Sequence, residues 1–394
     1  MIQILHTLAW RRGAVVAVVT NVLAGFVAPA DAATETVLHS FQNNGTDGVS
    51  PAARPINVSG TLYGTTQVGG TNSDGAIFSI DPTTGAETAL YSFQNNGLDG
   101  ISPVANLIKV KGTLYGTTYG GGTSGAGTVF SITPGGKENV LYSFQNNGTD
   151  SFSPEAGLIS VGGKLYGTTI GGGTHGGGGT VFSITPRGEE SVLHSFGNGT
   201  DGAEPRASLI DVNGTLYGTT YAGGVNHAGT IFSITPLGKE RVFYAFKNNG
   251  SDGVSPVASL INIAGTLYGT TEVGGTNNAG TVFSITSGGK EKVLYSFQNN
   301  GSDGFKPVAS LLNVGGKLYG TTFEGGGTGC GGPGCGTVFS ITSRGKESVL
   351  HSFQSDGADG INPVASLINV SGTLYGTTYA GGTNGDGTVF SITP

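Results

Sequence analysis

The sequence of 394 residues holds one tryptophan, Trp10, one methionine, Met1, and two cysteines. Everything beyond residue 10 therefore lacks Trp and Met, which excludes a sugar-binding platform lined by tryptophan. Charged residues make up 11% of the chain, less than half the usual ~25%, which excludes coiled coils and charge-driven disorder. No basic run accompanies the net charge of −7, so nucleic-acid binding has no electrostatic footing. Proline is also scarce, at 15 residues, and no Gly-X-Y register exists. The 74 glycines are thus not collagen. An apolar fraction of 36% supplies the material for a core.

Arg11-Arg12, an apolar run over residues 14–27 and the small residues Ala30 and Ala32 read as an export signal over residues 1–32. The apolar run is short of the ~20 residues a membrane span needs. Gly13-Ala14-Val15 after the Arg pair favour the general secretory route over the twin-arginine one. The expectation is a mature chain from about Ala33, secreted or periplasmic, with no membrane span after cleavage.

Internal repetition carries the architecture. Leu-Tyr-Gly-Thr-Thr begins at Leu62, Leu114, Leu165, Leu216, Leu267, Leu318 and Leu374, a period near 51 with one insertion between Phe323 and Thr337. Within the copy that starts at Pro256, the segments 258–263, 266–271, 281–286 and 292–297 are rich in Thr, Val, Ile, Tyr and Phe and bounded by turn residues. They read as four strands, and no helical period of useful length follows residue 33. Four strands repeated seven times predict an all-β chain, a seven-bladed β-propeller of four-stranded blades over residues 33–394, with an open solenoid as the alternative. The chain begins with a lone fourth-type strand, residues 37–41, and leaves on a third-type strand, residues 388–393. The first strand is therefore expected to complete the last blade and remove the exposed edges.

In that topology the fourth-to-first and second-to-third loops share one face. The Gly-Gly pairs such as Gly69-Gly70 open the second-to-third turn and are expected at positive φ. The fourth-to-first loops read Asn-Gly-x-Asp-Gly or close to it, with Asp47, Asp99, Asp150, Asp201, Asp252, Asp303 and Asp359 in equivalent places. Asn and Asp here serve as turn builders. The alternative is a calcium loop, for which Asp356 with Asp359 offers two carboxylates, although calcium wants six to eight oxygens. No other cofactor is expected.

The residue after each Leu-Tyr-Gly-Thr-Thr is Gln67, Tyr119, Ile170, Tyr221, Glu272, Phe323 or Tyr379. This predominantly aromatic ring near the channel mouth suits stacking on a sugar or peptide, or packing between blades. His175 and His227 sit on loop tips of the same face. Cys330 and Cys335, with four flexible residues between them in the insertion, read as a disulfide that pinches a long loop. A zinc site would need four ligands.

The motifs Gly-x-Leu-Tyr-Gly-Thr-Thr, Gly-Gly and Gly-Thr-Val-Phe-Ser-Ile, as they stand from Gly265 to Ile285, resemble the GloVer tandem repeat over about residues 37–394. The resemblance implies an exported bacterial repeat protein with a propeller-like fold and brings no catalytic residue with it. Kelch repeats share a Gly-Gly pair and a Tyr, but their Trp is absent here. The functional expectation is a non-catalytic binding or scaffold module, monomeric, for a polysaccharide or an envelope protein. The alternatives are a glycan-cleaving enzyme using Glu272 or Glu324 with a tip His, and a structural coat component.

Overall fold

Each Leu-Tyr-Gly-Thr-Thr copy forms the second strand of a four-stranded antiparallel sheet, because its alternating bulky and small residues suit a strand covered on both faces. The computed structural model describes residues 33–394 except 328, 331 and 333, so the expected export signal lies outside the described residues. Seven such sheets stand in a ring and make a seven-bladed β-propeller. In one blade the strands are Ile261–Ile263, Thr266–Thr271, Thr281–Ile285 and Glu291–Ser296, paired in that order.

The expected closure is present. Thr34–Ser40 pairs antiparallel with Thr388–Thr393 and completes the sheet of Thr373–Thr378 and Ile368–Val370. Each third-to-fourth pairing carries a bulge, as between Val37 and His39. A bulge re-aims the side chain that follows it, and here that residue is His39 or its Tyr and His equivalents.

The core lies between blades. Phe93 at the end of one blade and Phe130 of the next meet edge-on with centroids 5.2 Å apart, and Phe41 meets Phe78 in the same way at 5.1 Å. Around them pack Ile77, Leu107, Leu114 and Ile132, all essentially excluded from water. The Gly of Leu-Tyr-Gly-Thr-Thr admits that Phe: a Cβ on Gly116 would stand 2.6 Å from Phe130 Cζ and 2.9 Å from Leu107 Cδ2. The first Thr of each motif donates its hydroxyl to an Ala carbonyl in the following blade, as from Thr65 to Ala105 at 3.2 Å and from Thr270 to Ala309 at 3.1 Å. Thr377 donates to Ala53 at 3.1 Å and so extends the series across the closure.

That bond explains one difference from the sequence reading. The first strand spans Ile261–Ile263, without the expected residues 258–260. The Ala258 carbonyl accepts from Thr219 of the preceding blade, and the Ser259 N–H donates to Ser310 Oγ of the next one. These backbone groups serve the neighbouring blades instead of their own ladder.

Seven two-stranded ribbons, such as Gly48–Val49 with Val68–Gly69, join each fourth-to-first loop to the adjoining second-to-third loop. The two loop families therefore do share a face. Gly69 and Gly70 have φ of 83° and 75°, as expected of that turn. Cys330 and Cys335 form the disulfide. Among the described residues no helix is long and apolar enough to cross a membrane.

Two outcomes test this packing. Gly116→Ala overfills the seam and is expected to destabilise the ring by about 1–3 kcal/mol in urea unfolding. Removal of residues 33–41 leaves the edge of Thr388–Thr393 unpaired, which lowers the melting temperature. A peptide of those residues added in trans restores it. An unchanged melting temperature would mean that closure contributes nothing.

Candidate functional site

After the second Thr of each motif the chain turns out of the blade, and one backbone bond fixes where the next side chain stands. Gln67 donates its N–H to Ser50 O, Tyr119 to Ser102 O, Glu272 to Ser255 O and Tyr379 to Asn362 O, at 3.0–3.1 Å. The accepting residues all precede a proline and have φ near 55°, among them Ser50, Ser102, Ser255 and Asn362. Left-handed backbone is disfavoured for such residues, and held strain of this kind gathers at functional sites.

Gln67, Tyr119, Glu272, Phe323 and Tyr379 thereby converge on a cavity of about 700 Å³ at the mouth of the central channel. Tyr119 and Tyr379 are 40% and 37% exposed, so part of each side chain is accessible from solvent. Ile170 and Tyr221 do not line the cavity. Tyr221 is covered by Arg206, whose guanidinium lies 4.4 Å above its ring. Arg206 also pairs with Glu204 at 2.7 Å and approaches Glu155 at 3.9 Å. Burial pulls the Arg206 guanidinium down, but Glu204 and Glu155 outweigh it and hold it above the usual range.

A second layer of the mouth carries Ala52, Val104, Glu155, Arg206, Val257, Val308 and Val364. Sequence reasoning missed this layer. Its signal was the residue after the conserved-spacing prolines Pro51, Pro103, Pro154 and their equivalents.

Of the residues named for catalysis, Glu272 lines the mouth but the others do not join it. Glu324 is ion-paired with Lys306 at 2.9 Å, and the mouth cavity includes neither it nor His175 nor His227. His175 stands on its tip with Nδ1 3.2 Å from Ser195 O and lines a separate cavity with His194. His227 occupies a turn at φ 55°.

The loop aspartates hold their own turns. Asp99 Oδ1 accepts the Gly100 N–H at 2.7 Å, and Oδ2 accepts the Gln94 N–H at 3.0 Å and the Tyr91 hydroxyl at 2.7 Å. Asn96 Oδ1 takes the N–H groups of Leu98 and Asp99. Asp150, Asp252 and Asp303 repeat the arrangement, and Asp47 does so with His39 Nε2, at 3.3 Å, in place of the tyrosine. Asp201 and Asp359 keep the bond to their strand histidine, at 3.0 Å each. Asp356 Oδ1 accepts the N–H groups of Ala358 and Asp359, which hold its carboxyl below the usual range.

Across each seam a glutamate from the next blade faces this Asp and its Tyr or His. Tyr244, for example, lies 2.7 Å from Asp252 Oδ2 and 3.4 Å from Glu291 Oε2. Oε1 of Glu35, Glu87, Glu138, Glu190, Glu240, Glu291 and Glu347 is buried with no hydrogen-bond partner among the described residues. Burial, reinforced by the facing Asp, pushes Glu87, Glu138 and Glu190 up to about 7. In three seams a histidine adds a third donor, and in two of them the ligand atoms of Glu35, His351 and Asp359, or of His39, Asp47 and Glu87, lie within 4.8 Å of one another. These are the residues with the donor types a transition metal takes. Tyr fills the same position in four seams, where its hydroxyl makes the bond to Asp.

The glutamates make stability depend on pH. Unfolded, they ionise near 4.5; in the ring, near 7. Between those values the folded chain keeps protons that the unfolded chain releases. Their contribution is therefore complete below about pH 4.5 and is lost as pH rises through about 7. The triple variant Glu87→Gln, Glu138→Gln, Glu190→Gln is expected to flatten the fall in melting temperature over that window. A slope equal to that of the unmodified protein would show that these carboxyls titrate normally.

The ring resembles several solved propellers. Oligogalacturonate lyase from Vibrio parahaemolyticus aligns at 10% identity and TM-score 0.52, over 91% of this chain and 93% of that one. PorZ, a surface component of the type-IX secretion system of Porphyromonas gingivalis, aligns at 12% identity and TM-score 0.51, over 87% and 46%. A putative 6-phosphogluconolactonase from Bacteroides uniformis aligns at 13% and 0.50, over 77% and 84%. At such identities the likeness concerns the fold alone. No curated protein matches the chain in sequence. The Gloeobacter/Verrucomicrobia repeat, the GloVer repeat, matches residues 23–178 and 147–333, and the chain belongs to that family.

Proposed function

We propose that the protein is an extracytoplasmic binding module that takes a polysaccharide at the mouth of its channel. The observation that carries this reading is the mouth itself, where the exposed Tyr119 and Tyr379 line one cavity with the hydrogen-bonding groups of Gln67 and Glu272. Open aromatic faces with polar neighbours are what a sugar needs, since its C–H face stacks and its hydroxyls bond at the rim. Phe323 adds a third ring to the same cavity. The export signal read at residues 1–32 and the disulfide at Cys330 and Cys335 both favour action outside the cytoplasm.

A glycan array, run with and without calcium because Asp356 and Asp359 are the pair a calcium-dependent mode would use, tests the reading. Saturable retention on a defined glycan is expected. Tyr119→Ala with Tyr379→Ala is expected to weaken it about tenfold or more, since each tenfold is about 1.4 kcal/mol and two stacking contacts are lost. Tyr221→Ala, whose ring Arg206 covers, leaves retention unchanged. Equal retention by the double variant and the unmodified protein would overturn the aromatic mouth as the binding surface.

A further inference from the structure

Below the mouth the channel narrows to a waist. Six of the ring positions there carry Asn106, Gly157, Ser208, Ser259, Ser310 and Ser366, and the seventh carries Arg54. The waist encloses about 130 Å³ and continues into a lower chamber of about 450 Å³ that the same Arg54 and serines border. The layer is tight, since a Cβ on Gly157 would come within 2.8 Å of Asn106 Nδ2 and 3.1 Å of Ser208 Oγ.

Arg54 has no partner: among the described residues no hydrogen bond, ion pair or ring contact holds its guanidinium. Burial pulls it below the usual arginine range, and no carboxylate opposes that pull. Glu155, one layer above, is engaged with Arg206. Above the waist Arg206 and Lys306 are both ion-paired, and Lys109 lines only the lower chamber. Arg54 is half-buried and keeps contact with the channel, and a guanidinium offers five donors in a fork that matches an oxyanion.

The rest of the layer supplies donors as well. Ser310 Oγ accepts the Ser259 N–H and Ser366 Oγ accepts the Ser310 N–H, each at 2.9 Å. Each of these oxygens thus accepts one backbone N–H, and its hydroxyl proton remains for an acceptor in the channel. The seven positions of the layer itself carry no carboxylate; the cavity also reaches Glu155 of the layer above, which stands beside Arg206.

We propose that Arg54 and the serine ring form an anion site at the waist, taking a small oxyanion: free phosphate, or the carboxylate of a sugar acid that enters from the mouth. The site does not depend on the polysaccharide reading, because its layer is complete without the mouth aromatics.

Calorimetric titration of the full chain at constant ionic strength tests it, with sodium phosphate, sodium glucuronate and neutral glucose as probes. Phosphate or glucuronate is expected to bind one per chain and to raise the melting temperature, as a ligand of the folded state must, while glucose does neither. A response to phosphate assigns a free oxyanion, and a response to glucuronate alone assigns a sugar acid. Arg54→Ser installs the residue already present at four ring positions and is expected to lower the affinity at least tenfold. Arg54→Gln serves the same comparison where the serine variant loses its fold, and Arg54→Lys retains part of the affinity. Equal anion affinity in the unmodified protein and these neutral variants, or no response to either anion, would overturn the proposal.

Discussion

The seam between blades is the interaction on which everything else rests. Each seam joins an edge-on pair of phenylalanines to a threonine hydroxyl bonded to an alanine carbonyl in the adjacent sheet. A single hydrogen bond contributes about 1 kcal/mol, and an aromatic pair about 0.5–1.5 beyond its burial. Neither is large alone. What matters is that the seams are alike, because equal angles between successive blades are what allow the seventh to meet the first. The near-constant spacing of the Leu-Tyr-Gly-Thr-Thr motif is the chemical record of that requirement.

Sameness at the seams leaves only a few positions free to differ. The residue after each second strand is fixed in place by its backbone bond, yet its side chain ranges from Gln67 to Tyr119 to Glu272. The same division of labour holds deeper in the channel, where a ring of small uncharged residues is broken once, at Arg54. The outer seams behave differently: their glutamates recur in every blade, so their charge is a property of the ring as a whole. Individuality sits on the axis, and uniformity sits on the perimeter.

Much of this was legible in the sequence. The period, the four strands and the closure by the first strand follow from counting runs, since a missing fourth strand at one end and a surplus one at the other have a single economical pairing. The mouth residues could be named because they hold a fixed offset from Leu-Tyr-Gly-Thr-Thr. What stayed hidden depends on neighbours distant in the chain. Tyr244 meets Glu291 across a seam, 47 residues away, and the covering of Tyr221 by Arg206 requires knowing which layers stack. The left-handed backbone at Ser50 and its equivalents runs against the local preference of a residue before proline, so propensity pointed away from it. The isolation of Arg54 is likewise a statement about what does not approach it, which no local motif records.

The partnership of Thr34–Ser40 with Thr388–Thr393 also bears on how the ring is assembled. A ribosome delivers the first of these segments long before the second, so during synthesis it is an orphaned β-edge. Native pairing at such separation is slow, and the waiting segment resembles the fourth strand of every later blade. An incomplete ring is therefore at risk of swapping that segment into another blade or another chain. Chaperoned delivery of an unfolded polypeptide, released all at once, would avoid the hazard by making both halves of the last sheet available together.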